Sequence, residues 1–227
     1  MKLSNKILIG FFGFIFLYLT AVFAEIRLRG TPNIMDDANS IAESVDISGI
    51  RYLVLDELDV TIGVIGSDES RIEVRSLSGD LLQRLRYNLS GDTLILSELE
   101  SQGTSPVKIS VFVPQTGLSG IRVDSAFAIV TNLDQAVLDI SQNAGSIRIS
   151  DSRIGKVHVS ASHGSQFHMS ATAVDTLSAT IDESQVHLSS PLKHLKGSMQ
   201  NNAFLRVQDI GEIRFKKDSS SRFNVYY

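Results

Sequence analysis

The chain has 227 residues, a formal net charge of -4 and a pI near 5.7. That balance excludes a nucleic-acid binder, which gathers Lys and Arg into a basic patch against phosphates, and the length leaves room for one sizeable all-β domain rather than a two-domain enzyme. The absence of cysteine removes disulfides, thiolate metal sites and a cysteine nucleophile, and with no tryptophan and only five tyrosines the aromatic platforms on which sugars stack are scarce.

Lys2 and Lys6 precede an unbroken apolar stretch from Ile7 to Ala24. Its eighteen residues would rise about 27 Å as a helix, close to the roughly 30 Å of hydrocarbon that a span must cross. A retained anchor and a cleaved signal peptide both fit, since Val22 and Ala24 are small residues suited to a cut before Glu25, while signal cores run shorter, about 7 to 15 residues. Under either reading the N-terminal positive charge stays in the cytoplasm and the rest is exported. The expected order is an anchor or signal over 1–24, a polar juxtamembrane linker over 25–46 and one exported domain over 47–227. The membrane, met through residues 7–24, is the first expected partner.

From Ile50 the chain alternates apolar and polar residues in short runs broken by Gly, Ser, Asp and Asn, the pattern of half-buried strands. Tyr52–Leu55, Val60–Val64 and Arg71–Val74 are the first. Leu85–Leu89 turns through Ser90-Gly91-Asp92 into Thr93–Leu96, which predicts a hairpin. Val107–Val113 runs into Pro114, whose missing N–H ends a strand or places it at an edge.

A three-part unit recurs every 17 to 20 residues from Ile121. Its first apolar-x-apolar triplet reads Ile121-Arg122-Val123, Leu138-Asp139-Ile140, Val157-His158-Val159, Leu177-Ser178-Ala179, Leu195-Lys196-Gly197 and Ile213-Arg214-Phe215. The second reads Ala128-Ile129-Val130, Ile147-Arg148-Ile149, Phe167-His168-Met169, Val186-His187-Leu188, Leu205-Arg206-Val207 and Phe223-Asn224-Val225. A single apolar corner follows, at Ile154, Val174, Leu192 and Ile210. Short inward stretches joined by corners of small residues predict a parallel β-helix in which each coil is buried by its neighbours; the competing reading is a twisted sandwich of short strands.

The unit from Ile50 onward resembles the GIN domain, the auto-transporter adhesin head family of exported bacterial proteins, in its leading strands, in Lys108-Ile109-Ser110-Val111-Phe112-Val113-Pro114 before the repeats, and in coils rich in Ser, Ala, Gly and Asn. The resemblance implies a right-handed parallel β-helix in the bacterial cell envelope, periplasmic or at the surface, with no established enzymatic activity. The chain lacks the many alternating strands of a C-terminal membrane barrel, so self-translocation is not implied.

In a solenoid the middle residue of each triplet points outward, and equivalent residues stack about 4.8 Å apart. One column then reads Arg122, Asp139, His158, Ser178, Lys196, Arg214, with Asp139 able to pair with Arg122 or His158. The other reads Ile129, Arg148, His168, His187, Arg206, Asn224 and holds no acid. Arg148, His168, His187 and Arg206 are the candidate ligand-contact face, suited to an anion and to pH sensing, against the blander reading of a solvated strand face. No third ligand accompanies the histidines, so no metal or other cofactor is expected. Glycoside hydrolysis needs carboxylates facing one another at about 5 to 9.5 Å. Asp139, Asp151, Asp175, Asp182 and Asp209 fall at different places in their coils, and the serines lack a triad context. The expected function is a non-catalytic adhesion or interaction module for an envelope polysaccharide or protein; the alternative is a polysaccharide lyase or hydrolase.

Overall fold

A computed structural model describes residues 11–23, 39–100 and 106–226, in two compact units, Met1–Asp37 and Ala38–Tyr227. In the first unit residues 11–23 form an exposed apolar helix, about 20 Å long at 1.5 Å per residue. No helix among the described residues is long and apolar enough to cross a membrane. The rest of the apolar stretch, residues 7–10 and Ala24, and the linker up to 38 lie outside the described residues.

The second unit is an all-β solenoid of about six turns. Its leading part contains β1 (Ile41–Asp46), β2 (Tyr52–Asp56), β3 (Thr61–Ser67), β4 (Arg71–Ser76), β5 (Leu85–Ser90), β6 (Thr93–Leu99) and β7 (Val107–Pro114). Residues 41–46, expected to close the linker, are instead a strand. They alternate as Ile-Ala-Glu-Ser-Val-Asp and pair antiparallel with β4 from Ile41↔Ser76 to Asp46↔Arg71, so an edge strand was hidden by its weak apolar content. The hairpin is where the sequence puts it: β5 and β6 run antiparallel, and Gly91 turns between them at φ +63°. Pro114 ends β7, which is interior, between β3 and β4.

The coils follow as β8 (Gly120–Asp124), β9 (Phe127–Thr131), β10 (Asp134–Asn143), β11 (Ser146–Ser150), β12 (Ser152–Ser162), β13 (Gln166–Met169), β14 (Thr172–Asp182), β15 (Gln185–Leu188), β16 (Leu192–Gln200), β17 (Phe204–Gln208), β18 (Ile210–Lys217) and β19 (Arg222–Tyr226). Odd strands from β9 extend a ten-stranded sheet ordered β1-β4-β7-β3-β9-β11-β13-β15-β17-β19. Even strands from β8 extend a nine-stranded sheet ordered β18-β16-β14-β12-β10-β8-β2-β6-β5. Every coil-to-coil pairing is parallel.

The core is a set of straight apolar columns. Leu138, Val157, Leu177 and Leu195 stack in one; Ile147, Phe167, Val186 and Leu205 stack in the facing sheet. All eight are at most 1% exposed, and burying each is worth roughly 1.5 to 3 kcal/mol. The single-residue corner joins Ile154, Val174, Leu192 and Ile210 in a further column, merged into the long even strands.

Corners interrupt the backbone ladder, and buried hydroxyls complete it. Leu133 N donates to Ser152 Oγ at 3.1 Å, Thr172 N to Ser190 Oγ at 3.0 Å and Ser165 N to Ser184 Oγ at 3.1 Å. Ser152 and Ser184 pass the bond on, each donating to the carbonyl two residues behind it. Corner serines therefore answer buried N–H groups that would otherwise be orphaned, a need beyond small size.

The two ends differ. At the leading end Leu81 and Leu85 are 6% and 4% exposed, with Leu82 packed against the core beside them. At the other end Ile213 is 40% exposed, and Phe215 and Phe223, stacked at 5.9 Å, are only half-buried.

Candidate binding faces

The column predicted on the ten-stranded sheet is formed as read. Ile129, Arg148, His168, His187, Arg206 and Asn224 stand in direct register on adjacent strands. The two imidazoles are 6.3 Å apart, and the His187 ring meets Phe204 edge-on at 5.4 Å. The Arg206 guanidinium lies 4.3 Å over the Tyr226 ring, a cation–π contact that fixes its orientation. His187 Nε2 is buried and has no hydrogen-bond partner among the described residues. Sequence reasoning did not notice a wider property: β9, β11, β13, β15, β17 and β19 together contain no Asp or Glu. Outward residues on them include Arg148, Arg206 and Arg222, with Gln166, Gln185 and Gln208 beside them. In a chain of net charge -4, one broad face is basic and amide-rich.

Partial burial holds His168 below the ordinary value of 6.5, and the Arg148 charge adds to the effect. His187 is lowered first by burial, then by His168 and by Arg206. The sign follows directly: above 6.5 both histidines are neutral in folded and unfolded chains alike. As pH falls through 6.5 the unfolded chain takes up protons first, so stability declines until the folded histidines also charge. Thermal unfolding followed on both sides of pH 6.5 is expected to show this decline, and a His168→Gln/His187→Gln variant should show a smaller one. An equal decline in the variant would remove these histidines as its source.

On the nine-stranded sheet the predicted column needs one correction. Arg122 is not opposite Asp139; Gly120 is, and Arg122 registers with Ser141. The first coil's Ile121 and Val123 match Ile140 and Gln142, and a glutamine at an inward position hid that triplet from an apolar pattern search. From Asp139 onward the register is as predicted, through His158, Ser178, Lys196 and Arg214. Asp139 pairs with His158 at 2.8 Å, and Arg122 lies 3.7 Å from Asp124. This face carries an open groove of about 770 Å³, reaching from Tyr52 to Lys196.

The candidate acids do not converge on a facing pair. Asp139 is engaged by His158, Asp175 by Lys193 at 2.6 Å, and Asp182 by Asn201 at 2.7 Å. One pair outside the sequence reading, Asp56 and Asp124, is brought into register; Asp124 accepts a hydrogen bond from Asn143 Nδ2 at 2.9 Å. No group of three or more His, Asp or Glu among the described residues could hold a metal ion.

No protein-family model matches the chain, and no curated protein matches it. Solved structures share its fold. A "putative adhesin" from Bacteroides fragilis superposes with a TM-score of 0.56 at 11% identity, over 85% of this chain and 100% of that one. Another "putative adhesin", from Parabacteroides distasonis, gives 0.55 at 11% identity, over 83% of this chain and 94% of that one. At such identity the likeness is one of fold, and function has to be argued from the faces themselves.

Proposed function

We propose that this chain is a non-catalytic binding module of the bacterial cell envelope, GIN-like in kind, exported by the apolar segment of residues 7–24, that holds an extended acidic polysaccharide along its ten-stranded sheet. The observation that carries the reading is the acid-free face of β9 to β19, where Arg148, His168, His187 and Arg206 form an unbroken basic column. Strand spacing sets basic groups about 4.8 Å apart along the solenoid axis, so a long chain bearing carboxylates can meet several at once. The unpartnered His187 Nε2 and the flanking glutamines supply further polar contacts. Adhesin-like structural neighbours agree with a binding role.

The test is co-sedimentation of the full chain with polygalacturonate, scoring newly formed reducing or unsaturated ends in parallel. Binding without new ends is expected, weakening with added salt and strengthening as pH falls below 6.5 far enough for the folded histidines to take up protons. Each charge-assisted contact is worth about 1.5 to 3 kcal/mol, so Arg148→Gln/Arg206→Gln should weaken binding by at least about tenfold. New ends would overturn the non-catalytic reading, and unchanged binding by the double variant would overturn the assigned face.

A further inference from the structure

The groove on the opposite sheet has a different chemistry and stands independently of the reading above. We infer that it is a second binding site, for a neutral, hydroxyl-rich glycan chain lying along the solenoid axis across the even strands. Four features of the groove point there.

At one end the Tyr52 ring lies against Gly120: a Cβ added at Gly120 would stand 3.1 Å from Tyr52 Cδ1. Any larger residue at 120 would displace the ring. Tyr52 remains 41% exposed and lines the groove, so an aromatic ring is available there for a sugar ring to pack against. In a chain with few aromatic platforms, this one is set deliberately by a neighbouring glycine.

Along the groove Ser141, Ser160 and Thr180 are in direct register on β10, β12 and β14. They form a row of outward hydroxyls at the strand spacing of about 4.8 Å, and each can both donate to and accept from a sugar hydroxyl. Beside them the Ser178 hydroxyl lines the groove and is buried without a hydrogen-bond partner among the described residues. A buried, unsatisfied hydroxyl is costly unless something completes it. A ligand hydroxyl would do so.

The charges select the class. Asp139 and His158 are engaged with one another across adjacent coils at 2.8 Å, and Arg122 sits near Asp124 at 3.7 Å. This leaves Lys196 as the cation in the groove with no acid partner among the described residues. A polyanion would gain one cation here and meet the Asp139 carboxylate, whereas a neutral glycan can accept from Lys196 and His158 and donate to Asp139. The two faces therefore sort ligands by charge.

The experiment is isothermal titration of the full chain with neutral β-linked gluco-oligosaccharides of increasing length. Affinity should rise with length until the ligand spans from Tyr52 to Lys196. Tyr52→Ala should weaken binding about tenfold, given the usual worth of an aromatic contact, and Tyr52→Phe should retain it. Ser178→Ala should weaken binding about fivefold, while Arg148→Gln/Arg206→Gln on the other sheet should leave it unchanged. Because Tyr52 is exposed, the variants should keep the parent's circular dichroism, and the phenylalanine variant separates loss of stacking from loss of fold. Absence of binding, or binding indifferent to Tyr52→Ala, or binding abolished by the two arginine changes would each overturn the assignment. Absence of polygalacturonate binding by the parent chain would overturn the first face and leave this one standing.

Discussion

Replacing Gly197 by alanine is expected to cost on the order of 4 kcal/mol, the scale reached when a side chain is forced into backbone. Gly197 lies in β16 opposite Ala179 of β14. Its φ of +139° is one that L side chains rarely adopt, and a Cβ there would stand 1.8 Å from the Ala179 carbonyl oxygen and 3.0 Å from its nitrogen. Nothing flexible can yield, because the obstacle is main chain and Ala179 is itself paired with Val159 on its other side. Gly164 provides the control. It too has positive φ, at +75°, but an added Cβ would have nothing within 4 Å, so Gly164→Ala should lose only the left-handed penalty of about 1 kcal/mol. Urea unfolding of both variants measures the difference. Similar losses at the two positions would mean that the close approach at Gly197 relaxes without consequence.

Phe167→Ala is expected to cost about 3 to 5 kcal/mol, the range for an aromatic side chain removed from a closed core. Phe167 is 1% exposed and stacks between Ile147 and Val186, with coils on both sides of it. The surrounding columns belong to continuous ladders that cannot collapse into the space. Phe223 occupies the same column three strands further on, yet it is only half-buried and has no coil beyond it among the described residues. Phe223→Ala should therefore cost about 1 kcal/mol, the centre of the distribution for single substitutions. Equal costs for the two phenylalanines would show that the last coil is as closed as the middle of the solenoid.

The repeat was legible because burial imposes it. Val157, Leu177 and Leu195 must face inward on every coil, so apolar spacing reports the register directly, and the Arg148 to Arg206 column followed from that spacing alone. It failed where the inward residue was polar. Gln142, buried at 2% and donating to Gln166 O at 3.1 Å, does the work of an apolar residue without looking like one, and it shifted Arg122 into the wrong column. Strand β1 was missed for the opposite reason, since an edge strand needs little apolar content to pair. The groove was invisible because it depends on the gap at Gly120 and on two columns seen side by side, neither of which has a period. The lack of acid on the odd strands was present in the letters throughout, but only the strand boundaries reveal that those six segments make one face.

The spacing of the coils also bears on how the molecule is made. From β10 onward, each strand pairs with residues 18 to 20 positions earlier, along both sheets. A coil therefore gains nothing until a full circuit of chain is available, and then needs only the coil before it. The leading strands, closed over by Leu81 and Leu85, come first in the chain and offer a finished edge to the first repeat. Assembly can then keep pace with synthesis or with passage through a narrow pore, as each newly emerged circuit settles on the last and no segment waits for a distant one still to arrive.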